Sequence, residues 1–200
     1  MFLSALALPL LFAAGNASAQ ASPDRKMQRE IRRMEHDLDD MLVDSSNFLV
    51  PGYHNARGMY VPGTGMIFTF SSSLTASRGS AVFSVNKRHW MLWDDDDDED
   101  DDSDKEHRTI HSRGIKREER QYKRGTDEMM DLLLDDADSF SSLRAGEWVQ
   151  VVAYFNDVDY LWDKDIQHLA VKAKVDDLRA YAAKSLSADQ ARSKMVKEEY

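Results

Sequence analysis

The stretch GEWVQVVAYFND, residues 146–157, decides how this chain is read. Gly146 opens it, Trp148 to Phe155 is a run of aromatic and β-branched residues, and Asn156-Asp157 closes it. An apolar run of that length between turn residues is a β-strand, being too short for a buried helix. Toward the C-terminus a polar loop follows. His168 to Val175 (His-Leu-Ala-Val-Lys-Ala-Lys-Val) then alternates at period two, which predicts a second, half-exposed strand. Asp176-Asp177 starts a helix through Ala183. Ser187-Ala188-Asp189-Gln190 is a capping box for a last short helix carrying Met195 and Val196.

Toward the N-terminus, Ile115 to Phe140 reads as a long helix with Tyr122, Met129, Leu133 and Ala137 along one face. Gly125 lies inside it and weakens it by about 1 kcal/mol, which leaves both a continuous helix and a break there open. Met66 to Phe70 and Ser80 to Val85 read as strands, and Trp90 to Trp93 as a further short one. Phe48-Leu49-Val50 and Met59-Tyr60-Val61 each run into a Pro-Gly turn, at Pro51-Gly52 and Pro62-Gly63. At the front, Ser22-Pro23 has the form of an N-cap followed by proline at the first helical position. Met27, Ile31, Met34, Leu38 and Met41, widened by Leu42, then form the apolar stripe of an amphipathic helix ending near Asp44-Ser45-Ser46.

Sequence-adjacent strands usually pair, so this order predicts an α+β fold: an antiparallel sheet of four to five strands with helices packed on it. The order of elements is similar to that of profilin-like and roadblock-like domains.

The charge is unevenly placed. The chain carries 36 acids against 26 bases, a net charge of −10. Asp94 to Asp104 holds ten acids in eleven positions, so the remainder is neutral. Lys105 to Arg124 then carries eight bases against three acids. The expected organisation is a signal peptide over 1–19 and one α+β domain over 20–200, with a disordered acidic insert at 94–106. The signal is read from the apolar Phe2–Ala14 run and the small-x-small Ala17-Ser18-Ala19, which predicts export to the periplasm or outside the cell. No later stretch is long and apolar enough to span a bilayer. There is no cysteine, which excludes disulfides and thiol chemistry.

Tyr60-Val61-Pro62-Gly63-Thr64-Gly65-Met66-Ile67-Phe68 resembles a Y-V-P-G-x-G-x-I-F segment of a family of exported bacterial proteins without known activity. Glu147-Trp148-Val149-Gln150-Val151 and Asp177-Leu178-Arg179-Ala180-Tyr181-Ala182-Ala183-Lys184 are similar to two later segments of that family. The resemblance skips the acidic block. It implies export and an α+β domain, and carries over no catalytic residue.

Candidate sites were weighed by the geometry each chemistry needs. A calcium loop starting at Asp95 places Glu106 at position twelve. It also places Asp100 at position six, where the sharp turn needs Gly, so no EF-hand is formed. What remains is diffuse cation attraction at Asp94, Asp95, Asp96, Asp97, Asp98, Asp100, Asp101 and Asp102. His107 and His111 stand at i, i+4 in H-R-T-I-H, without the Glu of a zincin or an identifiable third ligand. Asp157, Asp159 and Asp163 are interleaved with Tyr160 and Trp162 in the loop after the Trp148 strand. Carboxylates among aromatics can bind a sugar or do acid–base work, so these five residues are the candidate ligand site. Phosphate-binding glycine loops and nucleophile elbows are missing, so no cofactor is predicted.

The basic stretch is expected to take the acidic run as its intramolecular partner, folded back over Arg113, Arg117, Arg120 and Arg124, rather than nucleic acid. The reading that follows is an exported, monomeric, non-catalytic binding domain for a protein or small-molecule partner, with no membrane span after signal cleavage. The alternatives are a small hydrolase using Asp157, Asp159 or Asp163, or a calcium-binding surface protein.

Overall fold

The structure is a computed structural model that describes residues 24–75, 101–156, 158–162 and 164–200; over 101–111 only the backbone is described. The expected signal peptide, the Ser22-Pro23 cap, the strands over 80–85 and 90–93, and residues 94–100 of the acidic run lie outside the described residues.

The chain runs α1 (Arg25–Asp44), β1 (Phe48–Leu49), β2 (Arg57–Val61), β3 (Gly65–Leu74), α2 (Asp101–Asp135), β4 (Trp148–Phe155), α3 (Asp159–Trp162), β5 (His168–Lys174), α4 (Val175–Ala182), α5 (Ala188–Lys194) and β6 (Val196–Glu199). This is the α+β class expected, a mixed and mostly antiparallel sheet with helices packed on it. The order is β1-β3-β4-β5-β6, and β2 pairs with β3 as well. β1 takes the far end of β3 (Phe48 opposite Leu74) and β2 the near end (Val61 opposite Gly65), so the two short strands share one edge.

The expectation of a wholly antiparallel sheet is corrected at its centre. β3 and β4 are parallel, with Gly65 opposite Trp148 and Ser72 opposite Phe155. A hairpin reverses the chain, whereas a helical crossover returns it to the end from which it left, and α2 is such a crossover. Gly65 makes the close approach possible. It has φ 126°, and a Cβ there would lie 1.9 Å from the Trp148 carbonyl oxygen.

α1 forms as its stripe dictates, with Met27, Ile31, Met34, Leu38 and Leu42 all buried. Its cap is Asp24, whose Oδ1 accepts from Met27 N at 2.7 Å, not the Ser22 of the sequence reading. α2 also differs from expectation. Its described part runs from Asp101 rather than Ile115, so residues 101–106 of the expected acidic loop are helical backbone. It does not break at Gly125, because that glycine is a contact point: an added Cβ would stand 2.5 Å from the Phe48 ring. The Ser187–Gln190 capping box is present, yet α5 stops at Lys194. Val196 therefore belongs to the edge strand β6, not to a helix.

One core lies between the sheet and all five described helices. Met66, Phe68, Phe70 and Leu74 of β3, Val149, Val151 and Ala153 of β4, and Leu169, Val171 and Ala173 of β5 meet Met34 and Leu38 of α1, Met129 and Leu133 of α2, Leu161 of α3, Leu178 of α4 and Ala191 of α5.

Candidate functional site

The loop after β4 does not assemble the site expected of it. Asp157 and Asp163 lie outside the described residues, and Asp159 is half-buried in the first turn of α3. Tyr160 is 6% exposed and belongs to the core. Its ring packs 5.8 Å from that of Tyr122, its N–H donates to Glu118 Oε2 at 2.8 Å, and its hydroxyl accepts from Lys164 Nζ at 2.7 Å. Trp162, two residues on, is 86% exposed. A four-residue helix sends these two aromatics to opposite environments, so Tyr160 and Trp162 do not form one platform.

Most described acids that resemble free surface carboxylates in the sequence hold backbone or hydroxyl groups in place. Glu147 is 4% exposed and accepts from Tyr60 Oη at 2.9 Å, Gly63 N at 3.3 Å and Arg144 N at 2.7 Å, tying the β2–β3 turn to the start of β4. Glu30 accepts from Ser141 Oγ and Ser142 N, Glu35 from Gly58 N, and Asp39 from Asn55 N and Ala56 N. These contacts fasten α1 to the loops it passes.

One carboxyl pair has the electrostatics of an acid–base dyad. Asp136, just past α2, is 4% exposed and lies against Asp37 of α1. Burial first, then the Asp37 charge, push its pKa up to about 6. Ser139 Oγ donates to Asp136 Oδ1 at 3.2 Å, and Arg33 Nη2 lies 3.6 Å from the same oxygen; both oppose the rise. Asp37 Oδ2 and Asp136 Oδ2 have no hydrogen-bond partner among the described residues, although Arg33 Nε lies 3.5 Å from Asp37 Oδ2, and a proton kept by Asp136 supplies the pair with a donor. Asp136 is buried in this contact, while Asp37 keeps about a third of its side chain exposed. The crevice between β5, α4 and α5, lined by Ala173, Leu178, Ala191 and Met195, has no water-sized space. Among the described residues no three His, Asp or Glu side chains group as metal ligands. His36 and His54 are exposed and face single aspartates, Asp40 and Asp39.

The second face of the sheet is the feature that sequence reading missed. Strand residues alternate between faces, so those not in the core point the other way. Register sets them in rows: Met59, Ile67, Gln150, Lys172 and Val196; then Arg57, Thr69, Val152, Ala170 and Glu198; then Ser71, Tyr154 and His168. Trp148 and Lys174 end the face at the Gly65 side. No described helix packs on it. Met59 is 51% exposed and Tyr154 41%, with Ile67 and Trp148 half-buried beside them, while Val152 and Ala170 at the centre of the face are buried.

The face's charges are largely engaged. Lys172 pairs with Glu198, Lys174 Nζ sits 5.3 Å from the Trp148 ring centre, and Arg57 Nη1 donates to the His54 and Ala56 carbonyls. Tyr154 packs on His168 with ring centres 4.7 Å apart. What the face offers is apolar and aromatic area with its cations already satisfied. The signal for it was present: Gln150, Val152 and Tyr154 alternate with Val149, Val151 and Ala153, and only one of the two sets can face the helices. Among the described residues no helix is long and apolar enough to cross a membrane. We find no protein family, no curated protein and no solved structure that matches this chain.

Proposed function

We propose that this chain is an exported, non-catalytic binding domain that engages a protein partner through the face of its sheet on which no described helix packs. The observation that carries the reading is the segregation of all described helices to one side, with Met59 and Tyr154 exposed and Ile67 and Trp148 half-buried on the other, around a buried Val152 and Ala170. Contiguous apolar surface of this kind marks interaction sites in folded proteins. Five strands about 4.8 Å apart and about seven residues long present on the order of 500 Å², a scale that suits a protein surface better than a small molecule. Because Arg57, Lys172 and Lys174 have partners within the chain, the complementary surface is apolar rather than acidic. Export is supported by the Phe2–Ala14 run and Ala17-Ser18-Ala19.

The test is site-specific photocrosslinking in the producing cell. A photoreactive residue at Met59 or Tyr154 is expected to capture one discrete partner, while the same residue at the helix-side positions Val43 or Asp189 captures none. Equal capture from both sides, or capture from the helix side only, refutes the reading. N-terminal sequencing of the protein from fractionated cells checks export, with Gln20 as the expected first residue.

A further inference from the structure

The sheet order ends at β6, and among the described residues nothing pairs with the outer edge of that strand. Tyr200 exchanges backbone hydrogen bonds with His168 in both directions, at 3.0 and 2.9 Å. Bonded and non-bonded pairs alternate along an antiparallel ladder, so Ala170–Glu198 and Lys172–Val196 are bonded pairs as well. The backbone N–H and C=O groups of Lys197 and Glu199 therefore point away from the sheet. Val196, Lys197 and Glu199 are exposed and Glu198 is half-buried, so this rim is open to a further strand. The opposite rim is shared by β1 and β2, and Asn55 Nδ2 donates to the Ser71 carbonyl between them.

The side chains of the β6 rim match a copy of themselves. Val196, Glu198 and Tyr200 point to the open sheet face, and Lys197 and Glu199 to the helix side. There Glu199 accepts from Tyr122 Oη at 2.7 Å, and Lys197 Nζ lies 4.8 Å from the Tyr122 ring centre. Two antiparallel copies of β6 about a twofold axis bond only through the outward groups of 197 and 199, which leaves three registers. Centring on 197 sets lysine against lysine, and centring on 199 sets glutamate against glutamate. Centring on 198 sets Lys197 opposite Glu199 of the second copy, and the reverse, so that both cross-strand pairs attract.

Within one copy Lys197 Nζ and Glu199 Oε1 already lie 2.6 Å apart, so the two pairs close into one ring of alternating charge. The same register sets Val196, 37% exposed, against Tyr200, 59% exposed, and each covers the other. It also brings the two Glu198 side chains together at the axis. Each is already held by Lys172 and by the Tyr200 hydroxyl, which compensates the charge there.

We propose that β6 is a self-association edge at which a second copy adds its own β6, antiparallel and centred on Glu198. The twofold axis then stands normal to the sheet, and both open faces lie on the same side of one continuous sheet. The rim is separate from that face, and the proposal stands whether or not the face binds a partner. Five residues from each copy bury far less than the about 1,200 Å² of a stable complex, so the association is weak and concentration-dependent.

Disulfide trapping on the full chain reads the register directly, because the chain has no cysteine. In a non-bonded antiparallel pair the Cα atoms stand about 4.5 Å apart, within the roughly 4.4–6.8 Å span of a disulfide. Glu198→Cys is expected to form a covalent dimer under mild oxidation. Val196→Cys, which lies about 14 Å from its own copy in this register, is expected to form none, while Val196→Cys mixed with Tyr200→Cys links. Sedimentation velocity on the wild-type chain is expected to show a dimer growing in as protein rises to about 500 µM. Lys197→Glu and Glu199→Lys are each expected to weaken that dimer about tenfold and, when mixed, to restore it as a heterodimer. Glu199 also serves Tyr122, so Lys197→Pro supplies a test that leaves that bond alone. It deletes an outward N–H that the fold does not use and is expected to abolish the dimer with an unchanged circular dichroism spectrum. A wild-type chain that stays monomeric at about 500 µM, equal trapping at 196 and 198, a dimer that survives Lys197→Pro, or failure of the folded charge variants to pair would each overturn the proposal.

Discussion

Replacing Asp136 by Asn isolates the proton shared across the α1–α2 contact. In the folded chain the Asp136 carboxyl ionises near pH 6, against 3.8 for a free aspartate. A carboxyl raised in this way favours the folded state while it keeps a proton that the unfolded chain has already lost. Its contribution is complete below about pH 4, declines as pH rises, and is gone above about pH 7. A shift of about two units corresponds to roughly 3 kcal/mol, and relaxation around a pair that Arg33 also touches reduces this to on the order of 2 kcal/mol. Asn presents a permanent N–H donor to the orphaned Asp37 Oδ2 and cannot ionise. Urea denaturation followed by circular dichroism should therefore show Asp136→Asn more stable than wild type by about 1–2 kcal/mol at pH 7.5, with the advantage vanishing near pH 4. A stability difference that is flat between pH 4.5 and 7.5, or that grows toward acid, refutes the shared proton.

Gly65→Ala should unfold the chain or cost more than about 4 kcal/mol by thermal melting, since its φ is 126° and the new Cβ would meet the Trp148 backbone. Glu147→Ala leaves three donors without an acceptor and should cost about 2–4 kcal/mol in urea, with Glu147→Gln recovering part of the loss. Tyr122 is held un-ionised by burial and by its hydrogen bond to Glu199, so the absorbance of the native protein near 295 nm should show at least one tyrosinate missing at pH 11 that appears on denaturation. Trp162→Ala should leave the melting temperature unchanged, within about 0.5 kcal/mol of wild type, because the side chain is 86% exposed.

The parts of the fold that the sequence made legible are those in which apolar spacing alone sets the structure. The stripe from Met27 to Leu42 can bury its apolar side only as a helix, and Trp148–Phe155 and His168–Lys174 are recognisable as strands by length and alternation. Strand direction is carried by what lies between strands, so the parallel β3–β4 pair was hidden by the length of α2. β6 was hidden for a different reason. Val196-Lys197-Glu198-Glu199 has no strand-like composition and is extended only because the free edge of β5 supplies hydrogen bonds. Glu147 and Glu118 look like surface charge in a linear reading, because the N–H and O–H groups they satisfy come from distant segments. The loop after β4 misled in a similar way. Alternating acids and aromatics suggested a platform, but Tyr160 packs inward on Tyr122, which itself lies against Phe155, and nothing in the sequence marks that pairing.

The two-sidedness of the sheet underlies the functional reading, and thiol labelling measures it directly because the chain contains no cysteine. Single cysteines at Met59, Ile67 and Tyr154 should react with a small maleimide within about tenfold of an unfolded peptide, while cysteines at Met66, Phe68 and Ala153 should be protected at least a hundredfold. Equal protection on both sets would show the second face covered and contradict the account.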